Sequence, residues 1–235
     1  MIFGLDLSSP LFWSAFGSIL LANIVLSGDN AVVIAMAART LKPEQRGKAI
    51  FWGSAAAIVM RIVLTIVAIQ LLSLPYLKII GAILLVYIGV DLLKGEDEGD
   101  GEGKEISGMM AAIRTILIAD LVMSLDNVIG VALASKIDGV MNYPLLVIGL
   151  AISIPIVVFG SQVMIKLMER FPVIIVLGAG LIGWVAGDAI AHDPALDSVF
   201  GNNKVLAYAL KVGCALFVIA VGKWLSSRAH AAKSA

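Results

Sequence analysis

Long apolar runs, separated by short polar breaks, set the pattern of this chain. A helix needs roughly 20 residues to cross the hydrocarbon of a bilayer. Seven stretches approach or exceed that length: Leu11–Ala38, Ile50–Leu72, Pro75–Leu93, Met109–Ser135, Pro144–Met168, Pro172–Ile190 and Val205–Leu225. The pattern predicts an all-α polytopic membrane protein with seven transmembrane helices. Lys42, Pro43, Glu44, Gln45, Arg46 and Lys48 form the first polar break. Gly95–Ser107 (GEDEGDGEGKEIS) forms another, acidic and rich in glycine, which cannot bury a core and reads as a solvated linker.

Composition agrees with the pattern. Hydrophobic residues make up 60% of the chain and charged residues 14%, with a mean hydropathy of +1.00, whereas soluble domains carry about 25% charged residues. The net charge is zero and no long basic block occurs, which argues against nucleic acid as a partner. Cys214 is the sole cysteine, so neither an internal disulfide nor a Cys-based metal framework exists. The start, MIFGLDLSSP, lacks the positive n-region of a cleavable signal, so the first helix is expected to be retained. No nucleotide-binding motif stands out. The function is expected to lie within the membrane part and not to be enzymatic.

The chain also repeats itself. Leu21–Ala38 (LANIVLSGDNAVVIAMAA) and Ile118–Ser135 (IADLVMSLDNVIGVALAS) lie 97 positions apart and match at Ala22/Ala119, Val25/Val122, Ser27/Ser124, Asp29/Asp126 and Asn30/Asn127. At the same offset Pro75 matches Pro172, Gly81 matches Gly178 and Asp91 matches Asp188. Gly53/Gly149 and Ala55/Ala151 align after a one-residue slip. The expected organisation is a first three-helix repeat (1–94), an acidic cytoplasmic linker (95–107), a second three-helix repeat (108–192), and a seventh helix with its tail (193–235). Three is odd, so the second triplet enters from the opposite side and the halves become inverted repeats. Such repeats typically place their substrate near the bilayer midplane, on locally broken helices. Gly28, just before Asp29, is a plausible break.

Orientation follows from the basic residues. In the seven-span arrangement twelve Lys and Arg (positions 39, 42, 46, 48, 94, 104, 114, 166, 170, 223, 228 and 233) fall on one side and four (78, 136, 204 and 211) on the other. The N-terminus is expected outside and the C-terminus in the cytoplasm.

Polar residues inside such spans are costly and mark function by default. Asn23, Ser27 and Asn30 recur at i, i+4 and i+7, as do Asp120, Ser124 and Asn127, so each repeat carries a polar stripe on one helix face. Asp29 and Asp126 lie about 100° off those stripes in an ideal helix. Ser and Asn alone serve as interhelical glue, but paired Asp-Asn motifs carry a charge that glue does not need. Carboxylates, carboxamides and hydroxyls are hard donors, suited to Mg²⁺, Ca²⁺ or Mn²⁺. Arg61, in the middle of the second span, is expected to pair with Asp29, Asp120 or Asp126, either as a fixed ion pair or as a counter-charge that metal displaces. Asp91 and Asp188 come late in their helices and are candidates for the two ends of a pathway, Asp188 with His192 at i+4. Met36, Met60, Met123 and Met164 read as core filler, and Trp13, Trp52, Trp184 and Trp224 as interfacial anchors.

With SGDNAVVIA and SLDNVIGVA in view, the chain resembles the TerC family of integral membrane proteins over nearly its whole length. The family takes its name from an association with tellurite resistance. Its bacterial members are linked to manganese efflux, and it is grouped with the lysine-exporter-type transporters. The resemblance implies a bacterial inner-membrane protein with a metal site at Asp29, Asn30, Asp126 and Asn127, and no resident cofactor. The expected function is export of a divalent cation, most of all Mn²⁺, by alternating access, with Asn23, Ser27, Asp120, Ser124, Arg61, Asp91 and Asp188 supporting the site or its pathway. A doubly charged ion moving through the field is worth roughly 4.6 kcal/mol per 100 mV, so export needs an exchanged proton or a steep gradient. Two other readings remain open: a membrane scaffold for stress-response proteins, and an exporter of a cationic amino acid. A homo-oligomer or stress-response proteins are the candidate protein partners.

Overall fold

The computed structural model describes residues 8–26, 28–72, 74–94, 102–137, 140–201 and 203–233. Every apolar run becomes helical. Among the described residues the helices are α1 (Pro10–Leu26), α2 (Gly28–Arg39), α3 (Pro43–Leu72), α4 (Leu77–Lys94), α5 (Glu102–Ala134), α6 (Tyr143–Arg170), α7 (Val173–Ala191), the short α8 (Asp197–Phe200) and α9 (Lys204–Lys233). A 3-10 turn, Pro194–Leu196, precedes α8. A small ladder that hydrophobic periodicity did not announce pairs β1 (Lys136–Ile137) with β2 (Val140–Met141) in antiparallel register.

Among the described residues five helical segments are long and apolar enough to cross a membrane: Pro43–Val67, Gly108–Leu125, Tyr143–Arg170, Val173–Ala191 and Lys204–Arg228. The other two expected spans fall short for definite reasons. The first run is described as α1 and α2, each shorter than a full span, and the break expected at Gly28 adjoins residue 27, outside the described residues. The helix α4 has only 18 residues and carries Lys78, Asp91 and Lys94. Helices also outrun their apolar stretches. The helix α3 starts at Pro43, whose missing N–H suits a first turn, and α5 starts at Glu102, so the end of the expected flexible linker is helical instead. Hydrophobicity marks where lipid lies; backbone hydrogen bonding continues past it.

The helices pack in an orderly exchange. The helix α3 packs chiefly on α5 and α6, and α6 packs on α1, α2 and α3. The helix α7 lies against α4 and, most extensively, α9. Close approach is bought with glycine. A Cβ on Gly53 would meet Ile116 Cδ1 at 2.9 Å, and one on Gly149 would meet Ile19 Cγ2 at 2.5 Å. On α7, Gly183 and Gly187 let backbone meet backbone: a Cβ there would lie 2.6 Å from the Cys214 carbonyl oxygen and from Lys211 Cα. This is the small-residue packing by which helices associate in lipid.

The main core joins α2, α4, α5 and α7 through Val33, Met36, Leu85, Ile116, Val122 and Ile182, among others. Met36 and Met123 are buried and Met60 and Met164 pack at core edges, as expected of filler. Trp13, Trp52 and Trp224 are exposed. Large apolar side chains such as Val63, Ile83, Phe159 and Phe217 also face outward, as a lipid-facing surface requires.

Candidate cation site at a buried ion pair

The site is assembled from three helices. On α5, Asp120 is 6% exposed; on α3, Arg61 is 4% exposed and pairs with it, Nη2 donating to Oδ1. On α2, Asn30 Nδ2 donates to the same Oδ1 at 3.0 Å. One turn along α5, Ser124 Oγ donates to Oδ2 at 3.1 Å. The carboxylate thus receives a guanidinium, a carboxamide and a hydroxyl. Taking a lone carboxylate out of water is prohibitive without such partners. Thr65 Oγ1 closes onto the Arg61 carbonyl at 2.7 Å, tying its hydroxyl to the preceding turn of α3.

Beside this cluster lies a cavity of about 20 Å³ lined by Asn30, Ser54, Arg61, Asp120, Ser153 and apolar neighbours including Ile58. A water needs about 10–15 Å³ measured in this way, so the space suits one water-sized body. Two buried oxygens on its wall, Asn30 Oδ1 and Ser54 Oγ, have no hydrogen-bond partner among the described residues. A buried acceptor left unmatched costs stability. Both oxygens belong to residues that line this ion-sized space.

The expected site residues divide cleanly. Asn30, Asp120, Ser124 and Arg61 are brought together. Asp29, at the start of α2, is half-buried; its Oδ1 accepts the Asn30 backbone N–H at 2.9 Å, and it lies in Coulombic range of Arg61 and Asp120. Asn127 is half-buried on α5. The side chains of Asn23 and Asp126, and the whole of Ser27, lie outside the described residues. Among the described residues no three His, Cys, Asp or Glu side chains gather as a ready metal cage.

The late aspartates sit apart from this cluster. Asp91 lines a space of about 10 Å³ with Thr40 and Thr115. Asp188 Oδ1 lies 3.3 Å from His192 Nδ1, the expected i, i+4 neighbour, and also pairs with Lys211 of α9. Lys211 in turn lies over Tyr208 and Trp184, at 5.0 and 5.8 Å from the ring centroids.

Sequence reasoning passed over Ser54 and Ser153. A signal for the first was present: Ser54 and Arg61 stand seven apart on α3, the same spacing as Asn23 and Asn30, and so share a face.

A bundle of membrane-length helices closed over an internal ion pair defines a polytopic integral membrane protein. The chain belongs to the TerC family: the model described as "Integral membrane protein TerC family" matches residues 8–230. It is 41% identical to the uncharacterized membrane protein YjbE of Bacillus subtilis (strain 168), across 84% of this chain and 88% of that protein. It is 31% identical to the uncharacterized membrane protein YkoY of the same organism, across 72% of this chain and 58% of that one. The match to the UPF0053 inner membrane protein YoaE of Escherichia coli (strain K12) is 26% identical and covers 73% of this chain but only 36% of YoaE. No solved structure matches.

Proposed function

We propose that the protein is a secondary transporter that exports a divalent metal cation, Mn²⁺ foremost, through an oxygen-lined site between two inverted halves. Its setting is a bacterial inner membrane, with seven spans, the N-terminus outside and the C-terminus in the cytoplasm. One observation carries the reading: the buried Asp120 carboxylate adjoins an ion-sized cavity where Asn30 Oδ1 and Ser54 Oγ lack partners. All three are oxygen donors of the kind that hard divalent ions take.

Arg61 explains how such a site stays closed when empty. Its guanidinium neutralises Asp120 and stands beside the space an ion would enter. An arriving cation competes with Arg61 for the carboxylate, and Asp29 and Asp126 supply the remaining negative charge. Asn127 and Ser27 add neutral oxygens from the mirrored motifs. The cavity size favours this reading over an amino-acid exporter, because about 20 Å³ suits a water-sized body and is far smaller than a lysine side chain.

Inversion is supported by reciprocal packing. Ile19 and Ile116 are 97 apart, and each seats on the glycine of the other half's second helix, Gly149 and Gly53 respectively. A two-fold relation between halves produces such an exchange. Bistable packing between repeats is the usual route to alternating access.

The test is Mn²⁺ flux into proteoliposomes of purified protein, read by an internal metal-sensitive dye, with Ca²⁺, Mg²⁺ and lysine as competitors. Flux in the wild type, suppressed by divalent ions and not by lysine, supports the proposal. Absence of flux of any ion from well-folded protein sinks it and favours the scaffold.

A further inference from the structure

The C-terminal ends of α2 and α4, the start of α7 and the later turns of α9 border a broad, open cavity of about 670 Å³. Its wall carries three cations from three helices: Arg39, Lys94 and Lys223. Ser226 and Ser227 add hydroxyls, while Leu93, Pro172, Ile175 and Val176 provide an apolar side. Among the described residues no carboxylate lines it.

Arg39 is the informative member. Its Nη2 donates to the Leu92 carbonyl at 2.9 Å, which anchors the guanidinium, while Nε is buried with no partner among the described residues. An immobilised guanidinium with an unused donor, next to two ammonium groups, is arranged for an anion with several oxygens. The space is open on one side and far exceeds what a chloride needs. The uncapped start of α7, with no acidic residue in its first turn, adds the positive end of a helix dipole.

We infer that this cavity binds a phosphate group, presented as the headgroup of an anionic lipid. The mixed wall favours a lipid over a free ion: cations and hydroxyls meet the phosphate, and Leu93, Ile175 and Val176 meet the first acyl carbons. Basic pockets between transmembrane helices at the cytoplasmic border hold lipid headgroups for this reason. The site is separate from the Asp120 cluster and stands whether or not the protein moves metal.

Native mass spectrometry of the full chain tests it, with phosphatidylglycerol or phosphatidylcholine added to the detergent-solubilised protein. The wild type is expected to retain phosphatidylglycerol and not phosphatidylcholine. Lys94→Gln/Lys223→Gln is expected to weaken retention about fivefold for each charge removed, and Lys94→Arg/Lys223→Arg to preserve it. The double variant leaves the Arg39 anchor intact, so folding is not at stake; Arg39→Gln is then added, with the unfolding midpoint recorded. Inorganic phosphate distinguishes the sources. Lipid that persists in excess phosphate assigns the site to a headgroup, and lipid displaced by phosphate, with phosphate binding lost in the variants, assigns it to a soluble phosphate. Equal retention of both lipids, or retention unchanged in the glutamine variants, overturns the inference.

Discussion

Arg61 Nη2 donates to Asp120 Oδ1 across the α3/α5 interface, with side chains only 5% and 7% exposed. This contact ties α3 to α5. Removing Arg61 leaves Asp120 buried with only neutral partners. Arg61→Met is therefore expected to lower stability by about 3–5 kcal/mol, while Arg61→Met/Asp120→Leu recovers much of that loss. Chemical unfolding in detergent reads both. A single variant as stable as wild type refutes the ion pair as a structural element.

Transport and stability are expected to separate at the aspartates. Asp29→Asn removes a half-buried charge outside the hydrogen-bonded cluster, and should abolish Mn²⁺ flux while leaving the unfolding midpoint near its original value. Asp126→Asn, at the mirrored position, is expected to behave alike. Asp120→Asn should lose both flux and stability, since the buried Arg61–Asp120 ion pair is then broken. Retained flux in both Asp29→Asn and Asp126→Asn would remove the paired motifs from the mechanism.

The glycine contacts predict matched effects in the two halves. Gly149→Ala drives a methyl against Ile19, and Gly53→Ala drives one against Ile116. Each is expected to destabilise by about 1–3 kcal/mol, the usual cost of overpacking. Ile19→Ala should rescue Gly149→Ala, and Ile116→Ala should rescue Gly53→Ala. Rescue by the non-contacting isoleucine instead would contradict the reciprocal packing.

Asp193 gives the fold an acid-sensitive clasp. Burial raises its carboxyl pKa, but hydrogen bonds from the Tyr76, Ala195, Ile79 and Lys78 backbone N–H groups outweigh that and hold it below the ordinary value of 3.8. The Tyr76 and Ala195 bonds measure 2.9 and 2.8 Å. A lowered folded-state pKa means that the stabilisation is complete above the ordinary carboxylate range and disappears as pH falls through the lower folded value. Wild type should therefore lose an increment of thermal stability below about pH 4. Asp193→Asn should lack that increment at neutral pH and show a flatter acid limb. Identical acid limbs would show that the clasp does not contribute.

The helical stretches and the repeat were legible because both rest on spacing along one chain. Arg61 could be given three candidate partners from its depth, yet choosing Asp120 required the rotation of α3 against α5. The Ile19/Gly149 and Ile116/Gly53 exchange was hidden for a similar reason: the residues repeat visibly, but their contact crosses between halves. Ser54 escaped attention because a serine in a span is commonplace until a cavity is found beside it. Lys211 lies inside the Val205–Leu225 run and counted only toward orientation; its pairing with Asp188 against two aromatic rings depends on how α9 packs on α7. Element ends were the least readable, since α3, α5 and α9 run on beyond the apolar stretches that revealed them.

The closeness of α7 to α9 bears on how the chain is made. Gly183 and Gly187 present bare backbone, and it is the Lys211–Ala215 stretch of α9 that covers it. During synthesis α7 enters the membrane before its cover exists, and the groove stays open to lipid until α9 arrives. A chain stopped after residue 200 would carry every polar residue of the Asp120 cluster and still be unfinished. Such a product is expected to be cleared by membrane proteases, making α9 a checkpoint on the packing of α7.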